Sequence, residues 1–326
     1  MTNEEVIGLL QHDMEMEHQA ILQYLLAGWT LEDFEASIVE IARDEMRHFK
    51  WFGQAIRMLG GEPNMTVPAV PFDRDPVALI RMNVAAEQDA ADTYAKHIES
   101  IPNADVRRLL ERIRGDELYH KGEFIGLLEK IEPLVAAGEL HIADLDKSPD
   151  KKKRMLWRFF QEDVSGEYNA ILRYLHQSFT VEDGWLADNL EDRAIDEMRH
   201  MAWVAEEIIE SGGEVDMVPD PVTYTKDLRE IFVGNAKLER AAEDRYQRHI
   251  DAVDDDELRE LWGYIKFQEE HHAADFEDQL STLSSEAKAS KPEAPKQSEA
   301  EPAEEATKPD VPRDKKPTVG SLFRKK

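Results

Sequence analysis

The 326-residue chain has no cysteine. That excludes disulfides, cysteine-ligated zinc and iron–sulfur centres. No apolar run approaches the length of a membrane span. The acidic opening MTNEEV is unlike the basic, apolar start of a secretory signal, so a cytoplasmic protein is expected. Positive charge is scarce, with 40 Lys and Arg against 69 Asp and Glu and a net charge of −29. Residues 281–326 hold ten basic and eight acidic residues, which leaves −31 on residues 1–280. Such a body repels nucleic acid and anionic membranes and concentrates cations. No nucleic-acid partner and no membrane partner are expected. The charged outer faces of long helices account for the same excess without any ligand.

What is present is helical pattern. Apolar residues recur at helical spacing over roughly 3–28, 32–59, 76–100 and 103–131. Thr30, three residues before Asp33, reads as a capping box. Gly60-Gly61 reads as a helix stop and Asp75-Pro76 as a helix start. The second half repeats the plan over roughly 150–178, 182–211, 222–252 and 255–281, with Thr180 and Asp183, Gly212-Gly213 and Asp220-Pro221 at the matching places. The offset is 150 residues before the first turn and 152 after it, which puts a two-residue insertion at a helix–helix connection.

Residues 61–75 are proline-rich and show no regular pattern. Fifteen extended residues reach about 50 Å, and a 28-residue helix is about 42 Å long, so this connection can run the length of a bundle. The expected fold is all-α: two tandem ferritin-like four-helix bundles, each with one long crossover. The expected organisation is bundle one over 1–131, a linker over 132–149, bundle two over 150–281, a disordered tail over 282–316 and a distinct peptide over 317–326. The tail has six prolines and one aromatic residue from 281 onwards, too little apolar surface to fold alone.

The pentapeptide Asp-Glu-Met-Arg-His occurs twice, at 44–48 and 196–200. Residues three apart share a helix face, so Glu45 and His48 point together, as do Glu197 and His200. A second Glu-x-x-His stands on each fourth helix, Glu117 with His120 and Glu269 with His272. Helices one and three offer single glutamates within apolar stripes: Glu17 and Glu87, then Glu167 and Glu239. The spacing from 45 to 87 equals that from 197 to 239, and the spacing from 87 to 117 equals that from 239 to 269. Four glutamates and two histidines from four helices fit a carboxylate-bridged dinuclear metal site, twice over. Glu45, Glu117, Glu197 and Glu269 are the expected bridging, catalytic ligands. In the last set, QEEHH also offers Glu270 and His271. Asp44, Asp116 and Asp196 each precede a ligand glutamate and could accept the second ring N–H of a ligating histidine; Gln268 breaks that pattern. Tyr24, Tyr94, Tyr174 and Tyr246 repeat in register and read as aromatic packing, while His97 and His249 read as capping or interface residues.

With EHQAILQY at 17–24, EYNAILRY at 167–174 and the repeated DEMRH, the chain resembles the bacterioferritin family over about 280 residues. The resemblance implies two di-iron centres and ferroxidase chemistry, in which Fe(II) and dioxygen or peroxide give Fe(III); manganese serves the same ligand type. It implies that haem could bind through Met46 and Met198, for which core packing is the alternative. Rubrerythrin is less similar, because its extra third-helix glutamate is replaced by Ala90 and Ala242. Near the end, Thr318–Leu322 resembles the targeting peptide of encapsulin cargo, which implies an encapsulin shell partner and a place inside that nanocompartment. A homo-oligomer is a further expected partner state. A di-iron oxygenase such as a quinone hydroxylase, a dimanganese catalase and a non-catalytic metal-binding adaptor are the competing readings.

Overall fold

The computed structural model describes residues 1–140, 142 and 144–289. The described residues form eight α-helices and one 3-10 turn, with no strand among them. The helices are α1 (Asn3–Thr30), α2 (Glu35–Met58), α3 (Pro76–Ser100), α4 (Ala104–Ala137), α5 (Lys151–Thr180), α6 (Gly184–Glu210), α7 (Leu228–Ala252) and α8 (Asp256–Ala289). The chain divides into two compact units, Met1–Tyr224 and Thr225 onwards. The first contains α1–α6 and the second α7 and α8.

Within the first unit α1 packs on α2, α3 and α6, and this explains its burial. Every residue from Ile21 to Thr30 is buried, because this half of α1 has neighbours on several sides. Caps fix the helix starts. Thr2 accepts from the Glu5 amide while its own amide donates to Glu5, a complete capping box. Asp75 caps α3 with Pro76 in the first turn, as the sequence indicated. Gly60 and Gly212 both take positive φ, +90° and +81°, and end α2 and α6.

The crossover after α2 runs along α1. Gln11 exchanges hydrogen bonds with the backbone of Glu62 and Asn64, and His18, two turns further on, donates from Nδ1 to the Thr66 carbonyl at 2.8 Å. The segment after α6 runs along α5 in the same way, held by Gln161 at Asp216 and by Asn169 at the carbonyls of Asp220 and Pro221.

Several expected boundaries are corrected. Thr30 does not begin a capping box: it ends α1, and its hydroxyl donates to the Leu26 carbonyl. Thr180 likewise bonds back to His176, and Asp183 alone caps α6. Asp220-Pro221 does not open α7. Asn169 holds that segment against α5, and Asp227 caps α7 six residues later. Helix α4 runs past residue 131, through Pro133, until Gly138 takes φ +71°. Helix α8 runs to Ala289, into the expected tail, where Ser284 is bonded both to Leu280 and to Arg229. The rest of the tail and Thr318–Leu322 lie outside the described residues.

Candidate metal centre

Helices α1–α4 each deliver acidic or histidine side chains to one interior point. Glu17, Glu45, Glu87 and Glu117 are at most 2% exposed, and His48 and His120 are 1% exposed. They form two groups of four. Glu17, Glu45, His48 and Glu117 offer ligand atoms within 4.8 Å of one another, and so do Glu45, Glu87, Glu117 and His120. Glu45 and Glu117 belong to both groups, Glu17 and Glu87 to one each.

The distances follow the same order. His48 Nδ1 lies 2.9 Å from Glu45 Oε2, 3.0 Å from Glu117 Oε1 and 3.8 Å from Glu17 Oε2. His120 Nδ1 lies 2.8 Å from Glu45 Oε1 and 3.9 Å from Glu87 Oε2. Four buried atoms, Glu45 Oε1, Glu87 Oε2, Glu117 Oε1 and His120 Nδ1, make no hydrogen bond of acceptable geometry despite this closeness. Lone pairs that converge without satisfying one another fit a shared cation at the centre, since a buried carboxylate without partner is strongly unfavourable. An all-oxygen-and-imidazole donor set suits iron or manganese.

The electrostatics agree. Burial, then repulsion from Glu87 and Glu17, pushes the Glu45 carboxyl up to about 8. Burial and neighbouring carboxylates also raise Glu87 and Glu117 well above the ordinary range. Burial disfavours charge on His48, but Glu117, Glu17 and Glu45 outweigh it and raise its pKa; His120 is raised by Glu45 and Glu87 in the same contest. Without a cation the cluster therefore holds protons.

Outer contacts aim these ligands. His48 Nε2 is 3.3 Å from Asp116 Oδ2, and His120 Nε2 is 3.3 Å from Asp44 Oδ2. The aspartates work crosswise, each serving the histidine of the other helix. Tyr24 Oη donates to Glu87 at 2.7 Å and Tyr94 Oη to Glu17 at 2.5 Å. From sequence these tyrosines read as aromatic packing, with electron donation near a metal site as the alternative. Their repeat in register was the available signal, since a fully buried tyrosine hydroxyl needs an acceptor. His97 reads from sequence as a cap or interface residue. Its Nδ1 meets buried Asp13, 2.9 Å from Oδ1, one turn before Glu17.

The second set repeats part of this geometry within each helix pair. On α5 and α6, His200 Nδ1 is 2.8 Å from Glu197 and 3.7 Å from Glu167. On α7 and α8, His272 Nδ1 is 3.4 Å from Glu269 and 3.9 Å from Glu239. The choice within QEEHH falls on Glu269 and His272, which are buried. Glu270 pairs with Lys266 at 2.6 Å, and exposed His271 donates to the Phe267 carbonyl. Asp196 contacts Arg199 and Arg193, and Gln268 donates to Tyr264. Met46 and Met198 are half-buried on α2 and α6.

Two family models match, one described as ferritin-like over residues 10–90 and one as a ferritin-like domain over residues 159–285. The chain is a tandem ferritin-like protein. The ferritin-like chain is similar to the bacterioferritin of Desulfovibrio desulfuricans, at 29% identity over 44% of this chain and 84% of the relative. It is similar to the encapsulin nanocompartment cargo protein EncC of Myxococcus xanthus, at 34% identity over 22% of this chain and 55% of that protein. It is also similar to the 3-demethoxyubiquinol 3-hydroxylase of Alcanivorax borkumensis, at 29% identity over 35% of this chain and 59% of that enzyme. The chain thus spans little more than half the length of the latter two. The family relation implies iron binding, and the buried carboxylate and histidine groups could hold the metal. No described helix is long and apolar enough to cross a membrane.

Proposed function

We propose that this ferritin-like protein is a ferroxidase that oxidises Fe(II) to Fe(III) for iron storage or detoxification. The observation that carries the reading is the double membership of Glu45 and Glu117 in the two four-residue groups. Two carboxylates shared between adjacent sites suit two ions held side by side, with Glu17 and Glu87 as terminal ligands. The two irons supply the electrons that reduce dioxygen or peroxide. The chain's own residues bind and orient. Tyr24 and Tyr94 hold one oxygen of each terminal glutamate and leave the other for the metal, while Asp44 and Asp116 fix which ring nitrogen of His120 and His48 faces inward. The protons kept on the metal-free cluster leave as the cations enter.

By register, Glu167, Glu197, His200, Glu239, Glu269 and His272 are proposed as a second such centre, giving four irons per chain. The decisive experiment is Fe(II) oxidation followed by oxygen uptake. The double variant Glu45→Ala, Glu197→Ala should lose rapid oxidation while its helix content stays; an unchanged rate would refute the assigned centres.

The likeness to EncC supports a second element of the proposal, that the protein is cargo of an encapsulin shell. Thr318–Leu322 is the proposed docking peptide, and its covalent link to the bundles would raise their local concentration at the shell. The change Val319→Asp with Leu322→Asp should abolish loading into co-expressed encapsulin and leave oxidation kinetics unaltered. Normal loading of that variant would transfer the shell contact to the helical body.

The likeness to 3-demethoxyubiquinol hydroxylase favours one alternative, a di-iron oxygenase acting on a quinol. The same oxygen-uptake assay separates the two. A ferroxidase turns over with Fe(II) alone, whereas a hydroxylase consumes oxygen only with reductant and organic substrate.

A further inference from the structure

Helix α4 carries an exposed seam that nothing among the described residues covers. Positions Arg108, Glu111, Gly115, Leu118, Gly122, Ile125, Glu129 and Glu132 follow one another at alternating steps of three and four, the spacing of a coiled-coil seam. All eight are exposed, with Leu118 and Ile125 at 43% and 40%. Tyr119, beside the seam, is 64% exposed. A Cβ placed at Gly115, Gly122 or Gly126 meets nothing within 4 Å. These glycines therefore serve no packing within the chain, and none has a positive φ. Glycine inside a helix is unfavourable relative to alanine, so three open notches on one helix face have no local return.

We propose that this seam is the contact between two copies of the chain, with α4 packed antiparallel on α4 of the second copy. The commitment to a second copy rests on self-complementarity. In an antiparallel pair whose facing residues sum to 240, Leu118 faces Gly122 of the second copy and Ile125 faces Gly115. Arg108 faces Glu132, and the two-fold repeats each pair. Leu118 and Ile125 thus each meet a notch, and a charged pair closes each end. Among the described residues, Glu132 pairs with exposed Arg81 and Arg108 with exposed Asp105, pairs weak enough to exchange. One layer opposes the contact, Glu111 against Glu129.

The equivalent face of α8 is not a second copy of the seam. At an offset of 152 it has Phe267 for Gly115, Glu270 for Leu118 and Glu277 for Ile125. Glu270 is paired with Lys266 and Glu277 with Arg240. One self-complementary face per chain makes a closed dimer and not a filament.

The test is the mass of the full chain, free of shell protein, by sedimentation equilibrium up to about 100 μM. The wild type should associate. Gly122→Leu sets a leucine against Leu118 of the second copy, and should weaken association at least about tenfold. Its added side chain projects into open space within the monomer, so the fold is kept. Glu129→Lys removes the opposing layer by meeting Glu111, and should tighten association about tenfold; a parallel or unrelated contact predicts no such gain. A monomeric wild type, or association that neither substitution moves, overturns the proposal.

Discussion

Tyr168 donates its hydroxyl to His18 Nε2 at 2.7 Å, and the two residues occupy the same position in the two repeats, 150 residues apart. Each follows a proposed ligand glutamate, Glu17 or Glu167. The repeats therefore meet through a matched but unlike pair, near Phe49 against Phe179 and Lys50 with Glu191. His18 Nδ1 donates to Thr66, so Nε2 is the acceptor and the ring is neutral. Burial pushes the His18 pKa down to about 4 from 6.5. The unfolded chain takes up this proton first, so stability is present above pH 6.5 and is lost as pH falls towards 4. The shift corresponds to roughly 3 kcal/mol at most. Thermal melts of the metal-loaded protein should show this loss, and His18→Gln should flatten the profile over that window. Tyr168→Phe removes the donor and should cost about 1–2 kcal/mol at neutral pH.

Metal content should separate shared from terminal ligands. Loss of Glu45 touches both groups, so Glu45→Ala should empty both positions of the first centre. Glu87→Ala touches one group and should empty one, next to His120. Anomalous scattering at the iron edge, read position by position, checks the difference. Equal loss in the two variants would contradict the bridging assignment of Glu45.

Proton release should accompany loading. The metal-free cluster holds Glu45, Glu87 and Glu117 above the ordinary carboxylate range and both histidines above theirs. A folded pKa raised above the unfolded value means that stability is lost as pH rises. The metal-free protein should therefore weaken from about pH 4.5 towards pH 8, and bound cations should remove that slope. Calorimetry of metal binding at pH 7 in buffers of different ionisation enthalpy should give a proton count above zero.

Two equivalent glycines should respond unequally to alanine. Both Gly60 and Gly212 hold positive φ, which alone costs about 1 kcal/mol for a side chain. A Cβ at Gly60 meets nothing, whereas one at Gly212 would stand 2.5 Å from the Asp144 carbonyl oxygen. That carbonyl cannot simply move away, because Asp146 is bonded to Gly212 and to Lys153. Gly212→Ala should cost at least about 2 kcal/mol more than Gly60→Ala in denaturant melts.

The helical repeat, its 150- and 152-residue offsets and the candidate ligand types are legible along the chain alone, because they depend on periodicity. Glu-x-x-His places two donors on one helix face whatever surrounds the helix. Helix ends were less legible. Thr30 could bond forward as a cap or back to Leu26, and the α1 packing that decides this is tertiary. Asp220-Pro221 has the chemistry of a helix start, yet Asn169, fifty residues away, claims its carbonyls. The crossed service of Asp44 to His120 and Asp116 to His48, the grip of Tyr24 and Tyr94 on terminal glutamates, and the meeting of His18 with Tyr168 were decided only by the packing of separate helices. Spacing along a chain fixes which side of a helix a residue occupies; which residue of another helix it meets depends on how the helices approach.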